Sequence, residues 1–248
     1  MKATVLGRSL KLWLFYLIMI ATEIKKISYW NEYAKWYRLW RQHNAYHEPI
    51  KRLLFKFIQP ETKILDIGAG DGVLSIPLVK RGCCVTALEP SHSMQNYLYE
   101  NSFKHGVNLK VEPRRFEDLQ CFELKEFDLA LACNSLHLTE YGVEGSLLKI
   151  FSSQIESVFL VTEKDVKIEE VNSIYPEYSL IFNHSYFCES SFAYHSLDEA
   201  FEHWEFKYKR ELFSWEKEKL IKSILFEKDH YWLKDFTIVN IFYWRRVL

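Results

Sequence analysis

The chain has no C-x-x-C pair, no excess of basic residues, no internal repeat and no long apolar run. Each absence excludes something. The five cysteines, Cys83, Cys84, Cys121, Cys133 and Cys188, lack the spacing of a zinc ribbon or a redox dithiol. They are expected as reduced, mostly buried thiols in a cytoplasmic protein. No metal-ligand spacing occurs, so no metal is expected. Lys and Arg number 32 against 33 Asp and Glu, a formal net charge of −1. A nucleic-acid partner is therefore not expected, because its electrostatic footprint is missing. The most apolar stretch, Leu12 to Ala21, falls well short of the roughly 20 residues that span a bilayer.

Lys2, Arg8 and Lys11 precede that stretch, so residues 1–24 resemble the first two regions of a secretory leader. No small-x-small cleavage pattern follows, since Met19 would stand third before a cut after Ala21. Three readings of this extension stay open: a start assigned too early, an interfacial anchor, or a helix packed on the domain. Membrane association is expected only through residues 1–21. The early-start reading expects Met1 to Ile18 to be dispensable.

What is present is aromatic and apolar. Hydrophobic residues make up 48% of the chain, enough for a core, and aromatics 17%, enough for ring-lined pockets. The length suits one α/β domain with additions. Residues 25–58 read as a helical segment ahead of a domain at 59–248, with helix expected from Lys25 to Leu54. Pro49 marks a helix start, from which Ile50 to Ile58 leads to the Gln59-Pro60-Glu61 turn. Tyr29, Tyr33 and Tyr37 recur every fourth residue, as do Trp36 and Trp40, and His43 and His47. Residues four apart share a helix face.

The stretch from Lys63 to Met94, KILDIGAGDGVLSIPLVKRGCCVTALEPSHSM, organises the rest. A short apolar strand ends in Asp66. A glycine turn, Gly68-Ala69-Gly70-Asp71-Gly72, leads to a helix. A second strand, Cys84 to Leu88, ends on Glu89. This is half of a nucleotide-binding βαβ unit, with a carboxylate about 20 residues on, where a ribose edge would lie. A dinucleotide-binding turn would carry its third glycine where Val73 stands.

The stretch resembles motifs I and II of the class I S-adenosylmethionine (SAM) methyltransferases, the type 11 group in particular. LDIGAGDG is similar to the family's LD-x-G-x-G-x-G, and Glu89-Pro90-Ser91 with Met94 to its E/D-P-S-x-x-M. The resemblance implies an α/β, Rossmann-like, doubly wound and mostly parallel seven-stranded sheet with an antiparallel last strand. It implies SAM as cofactor, with its ribose on Glu89 and its methionine end near Asp66 and Gly68. Ala69, Gly70, Pro90 and Met94 belong to the same motifs. In similar enzymes the segment before motif I caps the pocket through a Y-D-x-x-R-like stretch. Tyr37 and Arg41 fall in that register, although Arg38 replaces the usual Asp. Phe116 and Glu117 occupy places that line the adenine. Asn134 opens the family's S-L-H-like turn beside the methyl group, where His137 is a candidate general base and Tyr37 a second polar group.

Further strands are expected at Val107–Glu112, Phe127–Cys133, Ser157–Thr162, Lys207–Phe213 and Thr237–Trp244. Helices are expected from Ser196, which opens a capping box, and over Trp215–His230. Asp165 to Phe192 shows no clear period. The implied function is methyl transfer to a small-molecule or carrier-bound acceptor. The alternatives are a catalytically silent SAM- or partner-binding domain, and a protein or tRNA methyltransferase.

Overall fold

The computed structural model describes residues 27–247. The expectations for the extension at 1–24 lie outside these residues. Helix α1 is described over 27–43, followed by α2 (His47–Phe57). Next come β1 (Lys63–Ile67), α3 (Ser75–Lys80), β2 (Cys84–Leu88), α4 (His92–Lys104), β3 (Lys110–Glu112) and α5 (Cys121–Leu124). Then follow β4 (Leu129–Cys133), α6 (Gly142–Ser152), β5 (Ser157–Thr162), α7 (Ile168–Ile174) and β6 (Tyr178–Glu189). The chain closes with β7 (Phe192–Tyr194), α8 (Leu197–Tyr208), α9 (Ser214–Ser223), β8 (Ile224–Glu227), β9 (His230–Leu233) and β10 (Phe236–Arg246). None of the described helices is long and apolar enough to cross a membrane.

The main sheet has seven strands in the order β3-β2-β1-β4-β5-β10-β6. β1 is parallel to both β2 and β4, and β10 is antiparallel to both β5 and β6. Six strands therefore run one way and β10 the other. The chain winds outward from β1 to β3 and then returns to β4. The strand order thus reverses between β1 and β4, where open α/β sheets bind ligands. β1, β4 and β5 are buried along nearly their whole length because helices cover both faces of the sheet. Ile64 joins one core with Ile50 and Leu54 of α2 and Leu98 of α4. Leu65 and Ile67 join the other with Leu147, Ile150 and Phe151 of α6. Strand periodicity divides neighbouring residues in this way.

A second sheet, β7-β9-β8, lies between β6 and β10 in the sequence. Its core is shared with α1: Trp36 and Leu39 pack with Tyr194, Ala200, Leu212 and Leu220. The aromatic spacing of α1 therefore serves two surfaces, this core and the cleft described below.

Four expectations change. The helix expected from Lys25 to Leu54 breaks at 44–46, where Asn44 donates to the Trp40 carbonyl (2.7 Å) and accepts the Tyr46 N–H (3.1 Å). A short amide side chain competes with the helix ladder in this manner. Lys207–Phe213 is not a strand: α8 continues to Tyr208 and stops at Lys209, whose φ of 56° is left-handed. The sixth strand of the main sheet is instead Tyr178–Glu189, an edge strand too exposed to show a period-2 pattern. The helix expected over Trp215–His230 ends at Ser223, and the β8–β9 hairpin follows. Lys228 and Asp229 both have positive φ there, which a two-residue type I′ turn requires.

Candidate active site

The turn after β1 is built by backbone donors. Gly68 and Ala69 N–H groups donate to the Leu88 carbonyl at 2.8 and 3.1 Å, drawing the turn over the end of β2. Gly68 has φ +69°, and a Cβ there would lie 2.5 Å from Cβ of Ser135. The Ser135 hydroxyl in turn donates to the Ile67 carbonyl. The loops after β1 and β4 thus meet with no room for a methyl group. Gly70 has φ +59°, and a Cβ there would face Met94 Cε at 3.3 Å and the Tyr37 hydroxyl at 3.9 Å.

Two carboxylates sit under and beside this turn. Glu89 Oε2 accepts the Gly70 N–H and Oε1 the Ser91 N–H, each at 2.8 Å. Burial pushes its pKa up to about 7, against the pull of these two hydrogen bonds. Asp66 is buried beneath the turn and accepts the Ser75 hydroxyl at 2.5 Å. Burial raises it to about 6, with the Ser75 hydrogen bond as the offset.

Helix α1 crosses the opening. Asn31 accepts the Ser91 hydroxyl (2.8 Å) and the Ser93 N–H (3.3 Å). Arg38 pairs with Glu100 and Arg41 with the buried Asp71, both at 2.9 Å. Trp30, Tyr37 and Trp40 of α1 line a cleft of about 170 Å³. The glycine turn lines it with Gly68 and Gly70, beside Glu89, the segments after β2 and β3 with Pro90, Met94, Phe116 and Glu117, and the end of β4 and the loop after it with Cys133, Asn134, Ser135, Leu138 and Thr139.

Three of the groups lining this space are held neutral. Burial and nearby Asp71 keep the Tyr37 hydroxyl well above its ordinary pKa. Burial and Asp66 do the same for the Cys133 thiol, which is held protonated. His47 also lines the cleft, and burial followed by Arg41 lowers it to about 3, so it stays uncharged.

Residues 64–153 match the family model described as a methyltransferase domain. The fold is shared with a protein of Bacillus halodurans assigned as a methyltransferase, 12% identical over 80% of this chain and 98% of that one, TM-score 0.53. It is shared also with YcgJ of Bacillus subtilis, 13% identical over 81% and 99% of the two chains, TM-score 0.50. A third likeness is TehB of Haemophilus influenzae, 12% identical over 80% of this chain and 62% of that one, TM-score 0.52. Residues 64–153 thus match a methyltransferase domain, and the chain as described shares the fold of these proteins. No curated protein matches the sequence.

Around this cleft most of the expected site residues converge. Tyr37, Gly68, Gly70, Glu89, Pro90, Met94, Phe116, Glu117 and Asn134 share the cleft wall. Glu117 Oε1 is also engaged by the Glu140 N–H at 2.6 Å. Arg41, Asp66 and Ala69 act from behind the wall: Arg41 holds Asp71, Asp66 holds Ser75, and Ala69 holds Leu88. His137 lies in the short 3₁₀ turn Leu136–Leu138, but the cleft there is lined by Asn134, Ser135, Leu138 and Thr139, not by His137.

The sequence reading did not foresee a polar network at the β4–β5 end of the domain. Asn134, at φ +51°, donates to the Tyr46 hydroxyl (2.6 Å), which donates to Glu163 (2.7 Å). The Glu163 N–H returns to Asn134 Oδ1 at 3.1 Å. Asn tolerates the left-handed region better than most residues, and this is the one signal the sequence offered. Tyr46 and Glu163 come from far-separated segments with no motif.

Proposed function

We propose that the chain is a SAM-dependent methyltransferase acting on a small-molecule or carrier-bound acceptor. The observation that carries this reading is Glu89, a buried carboxylate fixed from both sides by backbone N–H groups at the rim of the glycine turn. Each carboxylate oxygen has two acceptor sites. One on each is taken by the backbone, and the others suit a pair of ribose hydroxyls. The residues fit the cofactor in two further ways. Gly70 leaves open the place where a Cβ would obstruct the cleft. Asp66 and Glu89 are both raised by desolvation, which a cationic ligand would offset.

When bound, SAM supplies a methyl group already activated by its sulfonium. The chain's own work is then binding, orientation and exclusion of water. Phe116 and Met94 offer apolar surface to a base, and Glu117 a carboxylate acceptor for its amine. Tyr37 and His47 stay neutral beside a sulfonium, and the Arg115 guanidinium that also lines the cleft is paired with Asp118 and Glu140. Trp30 and Trp40 on α1 narrow the opening. Holding the acceptor in line is worth several orders of magnitude without a proton transfer, and we assign none to His137. The narrow, ring-lined cleft and the near-zero net charge support a small or carrier-bound acceptor.

The test is release of S-adenosylhomocysteine on mixing full-length protein and SAM with separated metabolite, protein and RNA fractions of a cell extract. Turnover with the metabolite fraction, or with carrier-bound metabolites, is expected. Turnover with RNA alone would overturn the acceptor class. SAM binding without turnover on any fraction would favour a silent domain.

A further inference from the structure

Away from the cleft, three histidines from distant parts of the sequence meet where α1 abuts the small sheet. His43 closes α1, His195 follows β7 and His230 opens β9. One ring nitrogen from each lies within 4.8 Å of the other two. The ring centroids of His43 and His230 are 4.5 Å apart, those of His195 and His230 5.4 Å, and those of His43 and His195 6.3 Å. We propose that these three side chains form a binding site for a divalent transition metal of the zinc class, one that cross-links α1 to the small sheet.

The surroundings of the rings support this beyond their proximity. Glu199 Oε2 lies 3.0 Å from Nδ1 of His195, and the Lys228 carbonyl lies 2.9 Å from Nδ1 of His230. Neither an ionised carboxylate nor a carbonyl can donate, so each of these bonds requires the proton on Nδ1. That tautomer leaves the Nε2 lone pair of both rings free for a metal. Ligating histidines are ordinarily fixed in this way, by a carboxylate or backbone carbonyl on the far nitrogen. Glu199 is itself held, because it also accepts the His195 backbone N–H at 2.7 Å and belongs to the capped first turn of α8. Trp232 stands edge-on to His43, with centroids 6.1 Å apart.

Three imidazoles suit zinc, copper, iron or nickel, and not magnesium or calcium. Tetrahedral zinc at about 2.0–2.1 Å from each nitrogen places its ligands roughly 3.4 Å apart, so the rings need a small inward movement. His195 is exposed on a loop and can supply it. Three protein ligands leave a fourth position for water or another ligand. The site would pin the end of α1 one turn beyond Trp40, which lines the cleft. Ligands at positions 43, 195 and 230 share no sequence spacing, which is why none was expected from the sequence.

The experiment uses the full chain without an affinity tag, stripped with chelator and titrated calorimetrically with zinc chloride. One Zn²⁺ per chain is expected, with no heat from Mg²⁺. Co²⁺ should give the visible absorption of a nitrogen-ligated site. His195→Ala and His230→Ala should each weaken zinc at least tenfold, and Glu199→Gln about 10–100-fold. Far-UV circular dichroism of the metal-free variants checks the fold. Should His230→Ala fail to fold, the exposed His195 decides alone. Absence of saturable zinc binding, or unchanged affinity in a folded His195→Ala protein, would overturn the proposal.

Discussion

At Gly68 a single hydrogen atom decides whether two loops can meet. An alanine there must adopt a left-handed backbone and place its Cβ 2.5 Å from that of Ser135. The backbone conformation alone costs about 1–3 kcal/mol, so Gly68→Ala should lower the urea-unfolding free energy by at least that much. Adding Ser135→Gly should recover part of the loss, and no recovery would mean that the clash is not its cause. Asp66 gives a prediction in pH. Its folded pKa, about 6, lies above its ordinary 3.8. Between these values the folded state keeps a proton that the unfolded state releases, so stability falls as pH rises through the window. Asn cannot ionise and can still accept the Ser75 hydroxyl. Asp66→Asn should therefore be more stable than wild type above pH 6, by up to about 3 kcal/mol, and equal to it near pH 4. A pH-independent difference in melting temperature would contradict this. His137→Gln should keep its methyl-transfer rate within about threefold, against the 10²–10⁴-fold loss expected for a general base.

At the scale of elements, α1 is the one whose placement most affects the site. Its contacts with the domain include the Arg41–Asp71 pair, in which Asp71 is almost wholly buried and Arg41 partly exposed. Removing one partner of a buried pair leaves a charge uncompensated and costs up to 3–5 kcal/mol. Because Arg41 is partly wet, Arg41→Ala should cost about 1–3 kcal/mol, and Asp71→Asn in that background should restore some of it. A calorimetric scan of wild type and the two variants checks both statements. The elements also show why some of the fold was legible and some was not. β1, the glycine turn and Glu89 lie within one local stretch, so spacing alone placed them. Ser157–Thr162 was legible because burial on both faces leaves a continuous apolar run. β6 was not, since an edge strand needs no strict alternation. The β8–β9 hairpin turns on Lys228-Asp229, which carries no Asn-Gly signal. Trp36 and Leu39 could be read as apolar, but nothing local tells that their partners are Tyr194 and Leu220. The Tyr46–Asn134–Glu163 network and the three histidines likewise exist only after folding.

Across the whole molecule, a parallel sheet with one reversed strand sets the end of β1 beside that of β4, and the helix that precedes the sheet returns to cover the gap. The small sheet between β6 and β10 supports that helix from its other side. The buried Glu89 faces the covered space, while the His47 and Tyr37 that line it stay neutral. The central claim is that this space holds SAM by its ribose on Glu89. Isothermal titration of SAM into the full-length protein and into Glu89→Ala at pH 8, above the carboxylate's pKa of about 7, tests it most directly. Charge-assisted hydrogen bonds are worth about 1.5–3 kcal/mol each, so at least tenfold weaker binding is expected in the variant. Equal affinity in a variant with an unchanged circular dichroism spectrum, or no binding to wild type, would contradict the account.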